Sequence, residues 1–296
     1  MRGLGECRIC NGALRLLHRG SGAEAAAEAF SPTNHEPGQY GDLFVCERCG
    51  TVQQPSLPQG DRLVGLYRSM HDGHYLDEEA GRRRTARRLL ALVSPGGRLL
   101  EVGCGHGLLL DEARSLGFSV LGLEPSRTAA AHAREVLGLP VRESTLDRLP
   151  ASTEQFDAIV MADVLEHLDD PLAAIDRCLE LLAPGGALLV VTPDPASRMA
   201  RAAGARWWGF LPAHTFLLPR ATLRRVLCER GFTVVEEKSL VRSFTLRYWM
   251  AGLAERGGAL GSLVALLRRV VPARARVALS LGDETVMVAR APLVTA

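Results

Sequence analysis

The ten residues EVGCGHGLLL, Glu101 to Leu110, constrain the chain more than any other stretch. A short apolar run, RLLEVGC, precedes them and a segment of helical spacing, LLLDEARSLG, follows, so a glycine-rich turn joins a strand to a helix N-terminus. The alternation then continues. FSVLGLEP reads as a second strand, SRTAAAHAREVLG as a helix behind a Pro-Ser start, and PVRESTLDRLP as a third strand and turn. FDAIVMADV is a fourth strand, PLAAIDRCLELLAPGG a helix and ALLVVTPD a fifth strand. Strands and helices alternating at this spacing predict a parallel sheet covered on both faces. Ligands of such sheets bind beyond the carboxyl ends of the strands.

The glycines stand at Gly103, Gly105 and Gly107, whereas a dinucleotide fingerprint needs its third glycine at position 108, which is Leu108. Glu124, at the end of the second strand, is placed to accept hydrogen bonds from both hydroxyls of a ribose. A nucleoside is therefore expected, without clear provision for a pyrophosphate. With EVGCGHG, LGLEPS, FDAIVMADVLEHLDDP and LLAPGGALLVVTPD taken together, the chain resembles the class I S-adenosylmethionine-dependent methyltransferases over about residues 86–240 and again at the C-terminus.

That resemblance implies a Rossmann-like α/β fold with a mostly parallel seven-stranded sheet and helices on both faces. GFTVVEEKSL and ETVMVARAP would be its last two strands. Gly103, Gly105 and Gly107 would let the backbone approach the methionine moiety, Glu101 would lie beneath it, Glu124 would hold the ribose, and Asp163 would line the pocket near the sulfonium. Where many relatives carry a Gly-Asp pair for the adenine amino group, this chain has Ser144-Thr145, so adenine recognition passes to the Thr145 hydroxyl or the Leu146 backbone. Glu166 and His167 are read as orienting the loop at the pocket mouth, because neighbours on a helix cannot both point at one atom.

Four of the seven cysteines form two C-x-x-C pairs, Cys7 with Cys10 and Cys46 with Cys49. Two such pairs complete a tetrahedron of soft ligands, so a structural zinc is expected, with a rubredoxin-like iron site or a metal-free thiol cluster as alternatives. Four thiolates leave no open coordination position. The N-terminus lacks a signal-peptide core and no apolar run is long enough to span a bilayer, so the sequence reads as cytoplasmic, where thiols serve as ligands before disulfides. Cys178 and Cys228 are expected to be buried thiols.

The expected organisation is a zinc-ribbon-like module at 1–60, a helical connector or lid at 61–93 and a methyltransferase domain at 94–296. Arg82, Arg83, Arg84, Arg87 and Arg88 in the connector are read as a solvated helix face. Tyr75 is the connector residue read as closing over the cofactor, with Tyr67 beside it.

The segment WWGFLPAHTFLLP falls in an insert at about 195–220, where the fold builds its acceptor pocket. His214 is the candidate general base for a hydroxyl acceptor, the alternative being a buried histidine satisfied by a backbone carbonyl, with Trp207 and Trp208 as pocket wall or core. A second insert, about 241–282, carries Leu260, Leu263, Val264, Leu267, Val270 and Val271 at helical spacing. It is read as covering the acceptor cleft or a homodimer interface, ahead of lying on a membrane.

A formal charge of +2 neither demands nor excludes nucleic acid. The leading expectation is a small-molecule methyltransferase acting on a hydroxyl or amine of a sugar, glycan precursor or specialised metabolite. The alternatives are a zinc-ribbon RNA base methyltransferase of the guanine N1 type and a non-catalytic S-adenosylmethionine-binding module.

Overall fold

In a computed structural model of the chain, residues 5–21, 40–70, 72–150, 155–254, 258–268, 270–272 and 274–293 are described. The N-terminal strands are β1 (Leu14–His18), β2 (Leu43–Cys46) and β3 (Val52–Gln53). The connector follows as α1 (Asp61–Ser69), a 3-10 turn at Tyr75–Glu78 and α2 (Glu79–Leu90). Next come β4 (Arg98–Val102), α3 (Leu108–Ser115), β5 (Ser119–Leu123), α4 (Arg127–Glu135), β6 (Val141–Arg142) and β7 (Phe156–Ala162). The chain continues through α5 (Pro171–Leu181), β8 (Leu182–Pro193), α6 (Arg198–Ala203), β9 (Phe216–Leu217), α7 (Arg220–Glu229) and β10 (Thr233–Ser239). It ends with β11 (Arg242–Thr245), α8 (Leu246–Ala254), α9 (Gly258–Arg268), β12 (Arg276–Leu279) and β13 (Glu284–Arg290).

Seven strands form the central sheet in the order β10-β13-β8-β7-β4-β5-β6. All neighbours are parallel except β13, which runs antiparallel to both β8 and β10. The near-continuous apolar strands follow from burial on both faces. Successive residues serve opposite layers, as the two-residue period of a strand requires. Leu100, Ile159, Met161, Leu188 and Val190 pack with Ile175 of α5 and Leu223 of α7. Their neighbours Leu99, Val160, Leu189 and Val191 pack with Leu89 of α2, Leu110 of α3 and Ala130 of α4. The expected parallel sheet is thus present. The third expected strand shrinks to the two residues of β6, followed by a 3-10 turn at Leu146–Arg148.

The cysteine module builds a second sheet of order β1-β2-β3-β9. Its fourth strand comes from the acceptor insert, with Val52 opposite Leu217 and Gln53 opposite Phe216. The module's sheet is therefore completed by a segment more than 150 residues downstream of β3.

The later insert is a small ribbon, β11 against β12, carrying α8 and α9. It is pinned to α2 at Gly81, where a Cβ would stand 2.0 Å from Ser243 O. Of the expected apolar stripe on α9, Leu263 and Leu267 are about half exposed, and no described α9 residue lines the cleft. Side-chain placement at Leu260 lies outside what is described.

Two expectations are corrected. Cys178 is buried, but Cys228 is exposed because it falls on the outer face of α7. The basic run is not simply a solvated face. Arg83 bridges Glu79, Asp111 and Glu112, Arg87 pairs with Glu112, and Arg82 stacks over Tyr75 at 3.9 Å. Arginine therefore staples α2 to α3, because the α3 carboxylates lie across from it. No described helix is long and apolar enough to cross a membrane.

Candidate active site

The turn between β4 and α3 works only with glycine. Gly103, Gly105 and Gly107 have φ of 67°, 52° and 83°, the left-handed region that side chains disfavour. A Cβ on Gly103 would come within 2.6 Å of Val164, and one on Gly107 within 2.7 Å of Leu139. At Gly105 a Cβ would instead face Tyr75 Oη at 3.6 Å, so the connector tyrosine stands over the loop. Its ring stacks on His106 with centroids 4.6 Å apart.

Glu124 follows β5, and its carboxylate accepts from Gly105 N–H at 2.7 Å and Ser126 N–H at 2.8 Å. Burial raises its pKa, and these two backbone donors oppose the rise. Glu101, on β4 directly beneath the glycine turn, is 5% exposed. Burial first and Glu124 second push its carboxyl well above the ordinary range, and its Oε2 has no hydrogen-bond partner among the described residues. Thr145 Oγ1 is a second buried polar atom without a partner among the described residues. It stands before Leu146, which opens the next 3-10 turn. Gly103, Gly105, Glu124, Thr145, Leu146 and Asp163 all border one cleft of about 1490 Å³. Glu101 and Gly107 support that cleft from behind the turn and do not border it.

Asp163 adopts φ 58° at the end of β7. Both its oxygens lie 2.8 Å from Arg242 Nη2, and the same guanidinium donates from Nε and Nη2 to Glu284. Although desolvation works against it, the Asp163 and Glu284 carboxylates hold Arg242 well above its usual pKa. Arg242 escaped the sequence reading. It lies in the later insert, and only the ribbon brings it back over β7.

His214 lies in the cleft wall, 5% exposed, with Nδ1 2.7 Å from Gly209 O. Burial, reinforced by neighbouring His167, lowers its pKa to about 3. His167 sits on the 3-10 turn Leu165–His167, with Nδ1 2.7 Å from Tyr67 Oη and 3.2 Å from Ala213 O. Burial takes it down to about 4. Glu166 is 1% exposed and accepts from Thr192 Oγ1 at 3.0 Å. Burial and the nearby Asp163 carboxylate raise its pKa well above normal. The tight turn defeats the helical argument for separating Glu166 from His167, because one ligand atom from each and one from His214 all lie within 4.8 Å of one another.

Trp207 is core and Trp208 is cleft wall. Both indole N–H groups donate to one Asp283 oxygen, at 2.9 and 2.6 Å. That anchor was invisible in sequence, since Asp283 lies just ahead of β13, some 75 residues away.

The N-terminal thiols also converge. Cys7 and Cys49 sulfurs are 3.6 Å apart, Cys10 and Cys46 sulfurs 3.5 Å, and all four lie within 4.8 Å of one another. A tetrahedron of Zn–S bonds near 2.3 Å has edges of about 3.8 Å. Backbone N–H groups of Ile9 and Cys49 point at Cys7 and Cys46 sulfurs at 3.4 Å, and a Cβ on Gly12 would stand 3.0 Å from Cys46 Sγ. Donor type and spacing fit a tetrathiolate ion.

A strand, a glycine turn and an acidic residue at the next strand's end, on a sheet with one antiparallel strand near its edge, define an S-adenosylmethionine-dependent methyltransferase. The chain belongs to the family described by the methyltransferase domain, which matches residues 74–237. It is 33% identical over 187 residues to a ubiquinone biosynthesis O-methyltransferase of Cereibacter sphaeroides, covering 59% of this chain and 74% of that protein. In structure it is similar to the 1,6-didemethyltoxoflavin-N1-methyltransferase of Burkholderia thailandensis, at TM-score 0.51 and 18% identity over 78% of this chain and 86% of that one. It is also similar to a chain of the complex between the Haloferax volcanii Trm112 methyltransferase activator and a methyltransferase, at TM-score 0.55 and 19% identity over 74% of this chain and 92% of that one. At these identities the structural likeness is one of fold.

The residues present fit S-adenosylmethionine. The unpartnered Glu101 Oε2 offers an unused hydrogen-bonding atom beneath the turn, Glu124 retains lone pairs for ribose hydroxyls, and Thr145 Oγ1 offers an unused hydroxyl.

Proposed function

We propose that this enzyme methylates a hydroxyl oxygen of a small-molecule acceptor. The observation that carries the reading is that the glycine turn and the Glu166–His167–His214 cluster face one continuous cleft. The name of the ubiquinone biosynthesis relatives supports oxygen as the atom methylated.

In this reading Gly103, Gly105 and Gly107 let the backbone close on the methionine moiety, with Glu101 behind them. Glu124 holds the ribose, and Thr145 with the Leu146 backbone meets the adenine. Asp163, fixed by Arg242, lines the cleft beside the methyl-bearing end. S-adenosylmethionine supplies a methyl group already activated on a sulfonium, so the protein's work is alignment and exclusion of water. Tyr75 and Arg82 cover the cofactor end. Phe244, Tyr248, Trp249 and Leu211 give the acceptor end an apolar wall, which suits a ring or chain face better than a bare sugar.

His214 faces the acceptor with its Nε2 lone pair, since Nδ1–H is committed to the Gly209 carbonyl. With a pKa near 3 it can accept a hydrogen bond from a hydroxyl and orient it. That pKa is poorly matched to removing the proton unaided near neutrality. Carboxylates outnumber guanidiniums around the cleft by nine to five among the described residues, which disfavours an RNA backbone as the acceptor. The four N-terminal thiols would hold a structural zinc. The chain would divide into the cysteine module at 1–60, the connector at 61–93 and the catalytic domain at 94–296, with strand β9 tying the first to the last.

Calorimetry with S-adenosylhomocysteine tests the cofactor half. Wild-type protein should bind, and Glu124→Ala should weaken binding by about 10- to 100-fold, as expected for loss of charged hydrogen bonds worth about 1.5–3 kcal/mol. Absence of binding to wild type would remove the enzyme reading. Transfer of labelled methyl to amine but never to hydroxyl acceptors would overturn the choice of oxygen.

A further inference from the structure

Glu166, His167 and His214 come from two segments that are laced together. Thr215 N–H donates to Glu166 O at 2.8 Å, and Thr215 Oγ1 donates to Leu168 O at 2.6 Å. The two imidazole rings meet edge to face with centroids 4.7 Å apart. All three side chains line the same wall of the cleft.

From this geometry we propose that Glu166, His167 and His214 hold a divalent first-row transition-metal ion whose open coordination positions face the cleft, and that the acceptor's hydroxyl oxygen occupies one of them. The second half of this proposal rests on the methyl-transfer reading above.

Two imidazoles and one carboxylate make the donor set of catalytic zinc and non-haem iron sites, which keep positions open for substrate. One ligand atom from each residue already lies within 4.8 Å of the other two, so an ion at ordinary bond lengths requires only a small contraction.

The outer partners are those that aim ligands. A carbonyl oxygen only accepts, so His214 carries its proton on Nδ1 toward Gly209 O and presents a bare Nε2. His167 Nδ1 lies 2.7 Å from Tyr67 Oη and 3.2 Å from Ala213 O; since the carbonyl only accepts, a proton on Nδ1 would leave Nε2 as the ligand atom. Thr192 Oγ1 donates to Glu166 Oε2, which orients the carboxylate. Hydrogen bonds of this kind fix tautomer and direction in metal centres. No arginine or lysine pairs with Glu166 among the described residues, and a buried carboxylate without counter-charge is costly.

With the ion bound, His214 Nε2 is its ligand, and the ion in place of that lone pair orients the hydroxyl and supplies what the imidazoles alone do not. A hydroxyl bound to a divalent ion is far more acidic than a free one. Its proton leaves to solvent through the open side of the cleft. The oxygen then forms the new C–O bond as the sulfonium C–S bond breaks, and sulfur keeps the electron pair. The metal changes no oxidation state.

The test uses full-length protein whose four cysteines are saturated with zinc, titrated with cobalt(II). One further ion per chain should bind, with a visible spectrum free of thiolate charge-transfer bands. Glu166→Gln and His214→Ala should each abolish that uptake. Thr192→Val leaves all three ligands in place and should weaken it by about 10- to 100-fold. His214→Ala should keep its affinity for S-adenosylhomocysteine within about twofold, which shows that the fold has survived. Saturation at the cysteine site alone would overturn the proposal, as would a second ion whose affinity is unchanged in both ligand variants. Failure of wild type to bind S-adenosylhomocysteine would remove the methyl-transfer reading while leaving the cobalt result to stand or fall alone.

Discussion

Glu101 shows how a single residue can be built for a charge it has yet to meet. Its carboxyl is buried beneath the glycine turn with Oε2 unpartnered, and desolvation followed by Glu124 raises its pKa well above the ordinary 4.5. A folded-state pKa above the unfolded value means that the native chain holds the proton more tightly. The stability from this group is therefore complete below about pH 4.5 and is lost as pH rises through the folded pKa. In ligand-free protein, Glu101→Gln should gain on wild type as pH rises above about 4.5, by up to about 1.4 kcal/mol per pH unit, in denaturant unfolding. A difference independent of pH would rule out this account. The positions of Gly103, Gly105, Gly107, Glu101 and Glu124 about one turn were legible because they follow from places in a strand–turn–helix. Arg242 and Asp283 were not, since a guanidinium between two carboxylates and a carboxylate beneath two indoles are properties of a packed surface.

Among the elements, β9 links the cysteine module to the acceptor segment. Gln54, just beyond β3, donates from Nε2 to the carbonyls of Leu211 at 3.2 Å and His214 at 3.1 Å, and its backbone N–H bonds Thr215 O. The module therefore braces the backbone that carries His214. Gln54→Ala strands buried carbonyls, at about 1–3 kcal/mol. It should lower kcat/KM for the acceptor by about 5- to 100-fold while leaving S-adenosylhomocysteine affinity unchanged; an equal loss of both would contradict the bracing role. Chelating the zinc proposed for the four cysteines should raise hydrogen exchange over residues 207–217 and leave residues 98–124 protected. The pairs of cysteines were readable from spacing, but this link was not. A two-residue strand has no periodicity of its own, and its partner is set by tertiary contact.

For the whole molecule, the cofactor and acceptor ends of the cleft are closed by elements outside the sheet: the connector, the cysteine module and the ribbon of β11 and β12. A ligand that binds only this assembled state stabilises all of it. S-adenosylhomocysteine at 100 times its Kd should raise the unfolding free energy by about 2.7 kcal/mol, read as a shift in the denaturant midpoint. No shift, with binding confirmed by calorimetry, would mean that unfolded chain binds as well. The sequence by itself determined the alternation of strands and helices, the glycine turn and the four-thiol pattern, because each is set by residues near one another in the chain. Only the tertiary structure decided that Arg242 crosses to Asp163, that β9 joins the cysteine sheet and that Glu166, His167 and His214 share one wall. Those contacts form when distant segments pack, and they leave no local period for a sequence to display.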